Sequence, residues 1–226
     1  MKIPYGKNLI DIELPTQIKW QVLKKDVPFS FSRQTEIVQN GVTELIHQLG
    51  GHISQEAKLL LIVPDHTRKC NLPLILPLLI DELKSEYNVS IEILIANGSH
   101  ILQPESVVRN LITTDIYDSI PTVQHDAKDE SQLLYFGKTS NDTDIWLNKK
   151  IKEVDYIITI GGILYHYFAG FGGGPKMLLP GVAGYETIRQ NHSLTIDKNN
   201  GRFHADSREG EINSNPVYTD LSQVLQ

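Results

Sequence analysis

Three apolar runs stand out along the chain: 58-KLLLIVPD-65, 89-VSIEILIANGSH-100 and 154-VDYIITIGG-162. Each is short, rich in Leu, Ile and Val, and bounded by polar residues or glycine, the pattern of a strand buried on both faces. Elsewhere the period changes. Ile37, Val38, Leu45, Ile46 and Leu49 recur at near-helical spacing within 33–49, and Gly50-Gly51 ends that run. Residues 72–87 read as a second helix, with Pro73 tolerated in its first turn and Pro77 expected as a boundary or kink. A short helix is predicted over 104–112, opened by Pro104, and another over 185–192. Residues 121–127 and 143–151 read as shorter strands. Residues 1–30, punctuated by Pro4, Pro15 and Pro28, read as an edge β-segment and loop. From 215 onward the pattern is the opening of an amphipathic helix, with Thr219 or Asp220 near its start. The sequence stops within it, so the expectation is a chain truncated before a further domain, with a frayed tail as the alternative. Strand–helix alternation predicts an α/β fold with a mostly parallel sheet flanked by helices.

Composition narrows the function classes. The 226 residues suffice for one domain with a substantial core, or one and a half. A net charge of −6 lacks the basic footprint of a nucleic-acid binder. The single cysteine, Cys70, excludes an intrachain disulfide and fits a reducing cytoplasm. It reads as an inert thiol, since no cysteine-enzyme signature surrounds it. No stretch approaches the roughly 18 apolar residues of a membrane span. The N-terminal MKIPYGKN has no apolar core of a signal peptide, so the expected location is the cytoplasm.

In an open parallel sheet, ligands bind beyond the carboxyl ends of the strands. After the three apolar runs come 64-PDHTR-68, 97-NGSH-100 and 161-GGILYH-166. Polar, titratable residues are thereby delivered to one edge. Asp65 can cap the segment that follows or order a neighbour. Arg68 can pair with Asp65 at the surface or clamp a substrate carboxylate with its fork. His66 reads as a loop residue hydrogen-bonded to backbone. His100, in a turn, reads as structural or as an acid/base group. His166, flanked by Tyr165, Tyr167 and Phe168, reads as a packed core histidine or as a site residue. His100, His166 and His192, if within reach of one another, suit a metal or acid/base chemistry, although no HExxH or CxxC spacing indicates zinc.

The stretch 161-GGILYHYFAGFGGGPKMLLPGVAGYETIRQNHS-193 raises the question of a phosphate loop. A Walker loop requires Gly-Lys-Ser/Thr, and here Pro175 precedes Lys176 and Met177 follows it, which sets that motif aside. Gly172, Gly173 and Gly174 would permit a ligand to approach the backbone closely. A lysine held in such a loop can form a covalent bond through its amine.

These motifs carry a resemblance. The chain resembles the N-terminal catalytic domain of the nickel-dependent lactate racemase family through 65-DHTR-68, 98-GSH-100, 125-HD-126 and, above all, 166-HYFAGFGGGPK-176 followed by 180-PGVAGYETIRQNH-192. The resemblance runs from about residue 10 to the end. It implies a Rossmann-like α/β domain over 1–226, with the family's C-terminal domain absent. It also implies a racemase or epimerase of a 2-hydroxy acid, using nickel held in a pyridinium-3,5-bisthiocarboxylic acid mononucleotide. By resemblance, Lys176 would carry that nucleotide covalently, in the loop of Gly172, Gly173 and Gly174. His192 would ligate nickel, and His100 and His166 would be the acid/base pair. Arg68 would hold the substrate carboxylate, and Asp65 would order Arg68 or Lys176. Enzymes that make the cofactor would be partners, and this chain alone would be inactive or nearly so. Ile101 stands where the family has arginine, and Lys69-Cys70-Asn71 follow DHTR where proline is frequent, so the substrate need not be lactate. The alternative is a non-catalytic nucleotide- or metal-binding module on the same fold.

Overall fold

The computed structural model describes residues 2–5, 8–13, 15–17 and 31–225. The chain divides into two units, residues 1–34 and 35–226. In the first, β1 (Lys2–Tyr5) and β2 (Asn8–Asp11) pair antiparallel, with Lys2 opposite Asp11. The loop expected over 18–30 lies outside the described residues. Helix α1 (Phe31–Leu49) spans the division. Then follow β3 (Lys58–Pro64), α2 (Leu72–Tyr87), β4 (Ser90–Ala96), α3 (Glu105–Ile112), α4 (Thr114–Ser119) and β5 (Thr122–Gln124). After these come β6 (Leu133–Lys138), β7 (Asp144–Asn148), β8 (Tyr156–Thr159), β9 (Tyr165–His166) and β10 (Gly170–Phe171). The chain continues through α5 (Tyr185–Ser193), β11 (Ile196–Asp197), β12 (Arg202–Phe203) and α6 (Pro216–Ser222).

The expected parallel sheet is present, with strand order β5-β4-β3-β8 and every neighbour parallel. Because successive strand side chains alternate, the sheet's two faces receive different residues. Leu59, Leu61 and Val63 of β3, with Ile91, Ile93 and Ile95 of β4, pack under Leu76, Leu79 and Leu83 of α2 and Val108 and Ile112 of α3. Leu60, Ile62 and Leu94 point the other way and pack on Met177, Leu178 and Val182. Met177 and Leu178 follow Lys176 directly, and Val182 lies six residues beyond it. Burying each stabilises by about 1.5–3 kcal/mol, so the lysine loop is fastened to the underside of the sheet. A third cluster joins Ile145 and Leu147 of β7 to Ile188 of α5 and to Val217 and Leu221 of α6.

Several expectations are corrected. Helix α2 runs through Pro77 without ending. Proline there forfeits only the bond to the carbonyl of Pro73, in the first turn. The strand expected over 154–162 is paired only over Tyr156–Thr159, and 143–151 divides into β7 and a 3₁₀ turn, Lys149–Lys152. The antiparallel β6–β7 hairpin was not predicted by periodicity, because its apolar positions do not alternate cleanly. The last helix begins at Pro216, where the pattern from 215 onward places it, with Thr219 and Asp220 inside it and not at its cap. Its cap is Asn215, whose side chain accepts from the N–H groups of Val217 and Tyr218. Asp220 is instead fully buried, accepting from Thr143 Oγ1 at 2.8 Å, Asn191 Nδ2 at 2.9 Å, Asn141 Nδ2 at 3.2 Å and the hydroxyl of Thr139.

Candidate active site

Numbered by chain order, the parallel strands run third, second, first, fourth across the sheet, so the order reverses between β3 and β8. At such a reversal the connections leave to opposite faces and open a crevice. A cavity of about 630 Å³ lies there. Asp65 and Arg68 enter it from the end of β3, His100 from the turn after β4, and His166 from beyond β8. Lys176 and His192 complete the wall. The structure thus brings together Asp65, Arg68, His100, His166, Lys176 and His192 with Gly172 and Gly173, whereas Gly174, expected with them, does not line the cavity.

Asp65 is 2% exposed. Its Oδ1 accepts from the N–H of Thr67 at 3.1 Å and the hydroxyl of Thr67 at 2.6 Å, and its Oδ2 meets Nδ1 of His100 at 2.5 Å. The carboxylate therefore engages Thr67 and His100, not Arg68 or Lys176 as the resemblance implied. Behind the His100 turn, buried amides interlock: Gln103 Nε2 donates to Asn97 Oδ1 at 2.7 Å and Asn97 Nδ2 to the carbonyl of His125 at 3.0 Å.

On the opposite wall one residue touches three others. The ring of Phe168 lies 4.6 Å from His166, 4.9 Å from His192, and 5.4 Å from Nζ of Lys176. Sequence reasoning counted Phe168 only as an aromatic neighbour. Its ring thus covers one side of all three polar groups. Burial, then the Arg68 charge, pushes the Lys176 amine down to about 8. Burial, then Lys176, Arg68 and His192, pushes His166 down to about 4, and burial, then Lys176, does the same to His192, also to about 4. Asp65 is the sole carboxylate among the described lining residues, against Arg68, Lys69 and Lys176. Arg68 forms no side-chain ion pair among the described residues. A cavity with this excess of unpaired cation attracts an anionic ligand.

The glycine loop works differently from the expectation. Gly172 N–H donates to the carbonyl of Leu164 at 2.7 Å. A Cβ on Gly173, whose φ is 71°, would lie 3.0 Å from the carbonyl oxygen of Gly162. These two glycines pack the loop against the segment after β8, and only Gly174 faces open space. Two further residues are structural. His66 bonds the side chain of Gln103, Nδ1 to Oε1 at 2.8 Å, rather than backbone. His125 is fully buried, with Nε2 on the carbonyl of Ala183 at 2.9 Å. Burial pushes the Cys70 thiol up, away from the reactive thiolate.

Among the described residues, no group of three or more His, Cys, Asp or Glu side chains converges as a metal cage. His192 alone offers an imidazole from α5, and its buried Nδ1 has no hydrogen-bond partner.

The chain is 29% identical over 226 residues to a lactate racemase of Thermoanaerobacterium thermosaccharolyticum, covering 98% of this chain and 52% of that protein. It is 34% identical over 166 residues to a lactate racemase of Lactiplantibacillus plantarum, covering 72% of this chain and 38% of that one. The structure of the Thermoanaerobacterium lactate racemase apoprotein superposes with a TM-score of 0.80 at 26% identity, over 98% of this chain and 52% of that one. A Thermotoga maritima protein shares the fold, with a TM-score of 0.68 at 19% identity, over 84% of this chain and 47% of that one. The chain thus spans about half the length of its curated relatives, or less. The model of the lactate racemase N-terminal domain matches residues 5–203, and the chain belongs to that family.

Proposed function

We propose that this chain is the cofactor-bearing part of a 2-hydroxy acid racemase or epimerase, acting on lactate or a related acid. One observation carries the reading: His100, His166, Arg68 and the buried Lys176 converge on one cavity with His192 beside them. Lys176, with its amine pushed down to about 8, is a nucleophile at mild pH, suited to hold a nickel-pincer nucleotide covalently. His192 would give the nickel its protein ligand. When bound, that group supplies the acceptor for the carbon-bound hydrogen, whose proton is too weakly acidic for a side-chain base alone. The protein's residues do the rest. Arg68, unpaired, takes the substrate carboxylate in a two-point contact. His100 and His166 serve the hydroxyl oxygen, one accepting its proton and the other serving when the reaction runs back from the 2-keto acid. Phe168 keeps water from the lysine and both nearby histidines.

The test is intact-mass measurement of the full-length protein co-expressed with the enzymes that make the cofactor. A mass increase is expected that disappears in Lys176→Ala. His100→Ala and His166→Ala should keep the adduct and lose at least about a hundredfold in racemisation, the lower range for a general acid/base group. Absence of any adduct on the wild-type protein refutes the reading.

A further inference from the structure

Two imidazoles facing one substrate do opposite work if their protons sit on opposite nitrogens. At His100, Nδ1 lies 2.5 Å from Oδ2 of the buried Asp65. A carboxylate accepts, so Nδ1 donates and carries the proton. The other oxygen of Asp65 is occupied by both donors of Thr67, which holds the carboxylate still with Oδ2 left for the ring. The Nε2 of His100 then has the lone pair, and no protein group among the described residues bonds it. At His166 the arrangement is reversed. The main-chain N–H of Ala169 donates to Nδ1 at 3.2 Å. An N–H cannot accept, so Nδ1 holds a lone pair and the neutral ring keeps its proton on Nε2. This bond is built into the tight β9–β10 turn, where His166 pairs with Gly170. Both rings line the same cavity.

We propose that the two cavity histidines are held in opposite tautomers, His100 as proton acceptor and His166 as hydrogen-bond donor, with Asp65 the positioning residue that sets this polarity and Thr67 its brace. The assignment rests on the racemase reading and gives it a direction. From one hand of the substrate, the hydroxyl proton moves to Nε2 of His100. The O–H bond breaks with its electron pair left on oxygen, an N–H bond forms, and the imidazolium stays paired with Asp65. His166 meanwhile presents an N–H to the substrate. Return of the proton runs the same step backwards: the N–H bond at Nε2 of His100 breaks with its electron pair left on nitrogen and the O–H bond re-forms, while the ring of His166, held by the Ala169 N–H, still donates from Nε2.

The experiment is a long-range proton–nitrogen correlation spectrum of the 226-residue chain labelled with ¹⁵N-histidine. It is recorded at a pH of about 8.5, where an imidazole of ordinary pKa, about 6.5, is neutral. His100→Gln and His166→Gln assign the two rings. The expected result is Nδ1 protonated at His100 and Nε2 protonated at His166. The same tautomer at both rings, or signals averaged between tautomers at either, overturns the proposal. In Asp65→Asn the His100 signals should shift to the averaged position, as an amide can donate as well as accept; an unchanged pattern removes Asp65 from the role. Should that variant not fold, the wild-type spectrum still decides the tautomers. No cofactor or substrate is needed, so this outcome is independent of the adduct on Lys176 that tests the racemase reading.

Discussion

At the scale of single residues, the site is governed by water exclusion more than by pairing. Lys176 has no carboxylate to hold its proton, and burial beside Arg68 favours the free amine. Below about pH 8 it is charged; above, it is neutral and nucleophilic. Trace acetylation read by peptide mass spectrometry should give Lys176 a midpoint near pH 8, well below the ordinary lysine value of about 10.4. Arg68→Gln should raise that midpoint, because it removes a like charge. A Lys176 midpoint equal to that of exposed lysines would contradict the burial argument. Asp65, Arg68, His100 and His166 were legible because each follows an apolar run that reads as a buried strand, while Lys176 and His192 stood out only through the glycine-rich stretch and its family resemblance. Thr67 and Phe168 were not legible. A threonine after Asp-His carries no signature, and a phenylalanine among tyrosines reads as packing until its ring is seen between His166 and His192.

At the scale of elements, the C-terminal segment depends on one buried carboxylate. Asp220 gathers donors from Thr139, Asn141 and Thr143, at the β6–β7 turn, and from Asn191 of α5, next to His192. Asp220→Ala would leave these donors without an acceptor in a buried place. The expected loss is about 2–4 kcal/mol in denaturant unfolding, since each stranded buried group costs about 1–3 kcal/mol and neighbours relax. A loss under about 0.5 kcal/mol would show that water replaces the carboxylate. Periodicity placed a helix here but not the role of Asp220, which resembles a cap when read along the chain while its partners lie about 30 to 80 residues away, beyond the reach of local pattern. The β9–β10 and β11–β12 hairpins were invisible for a related reason: two-residue strands carry no period to detect.

At the scale of the whole molecule, three histidines oppose acid. The folded chain holds His166 and His192 at about 4 and His125 below its ordinary value through burial, whereas the unfolded chain protonates all three near 6.5. Between pH 6.5 and about 4 the unfolded state thus binds more protons, and stability falls as the pH falls. Each group can contribute up to about 1.4 kcal/mol per pH unit in that window. The melting temperature should drop between pH 7 and pH 5, and a His166→Gln, His192→Gln double variant should flatten the drop. Glu186, held near 2 first by its bond to Arg189, loses its contribution only as the pH falls below its ordinary value of 4.5, beneath the interval from pH 7 to pH 5. An unchanged melting temperature over that interval would mean that both rings are solvated. The parallel sheet was legible at this scale, because its apolar runs are continuous. Its strand order was not, since nothing in the runs says which neighbours which.

Two main-chain bonds have a consequence for how such a site can change over time. Gly181 N–H donates to the carbonyl of Lys176 at 3.1 Å, and Gly98 N–H donates to the carbonyl of Gly181 at 2.9 Å. The lysine loop and the histidine turn are therefore tied to each other through main-chain bonds. A substitution of the side chain at Lys69 or Ser99, both of which line the cavity, leaves these two bonds in place.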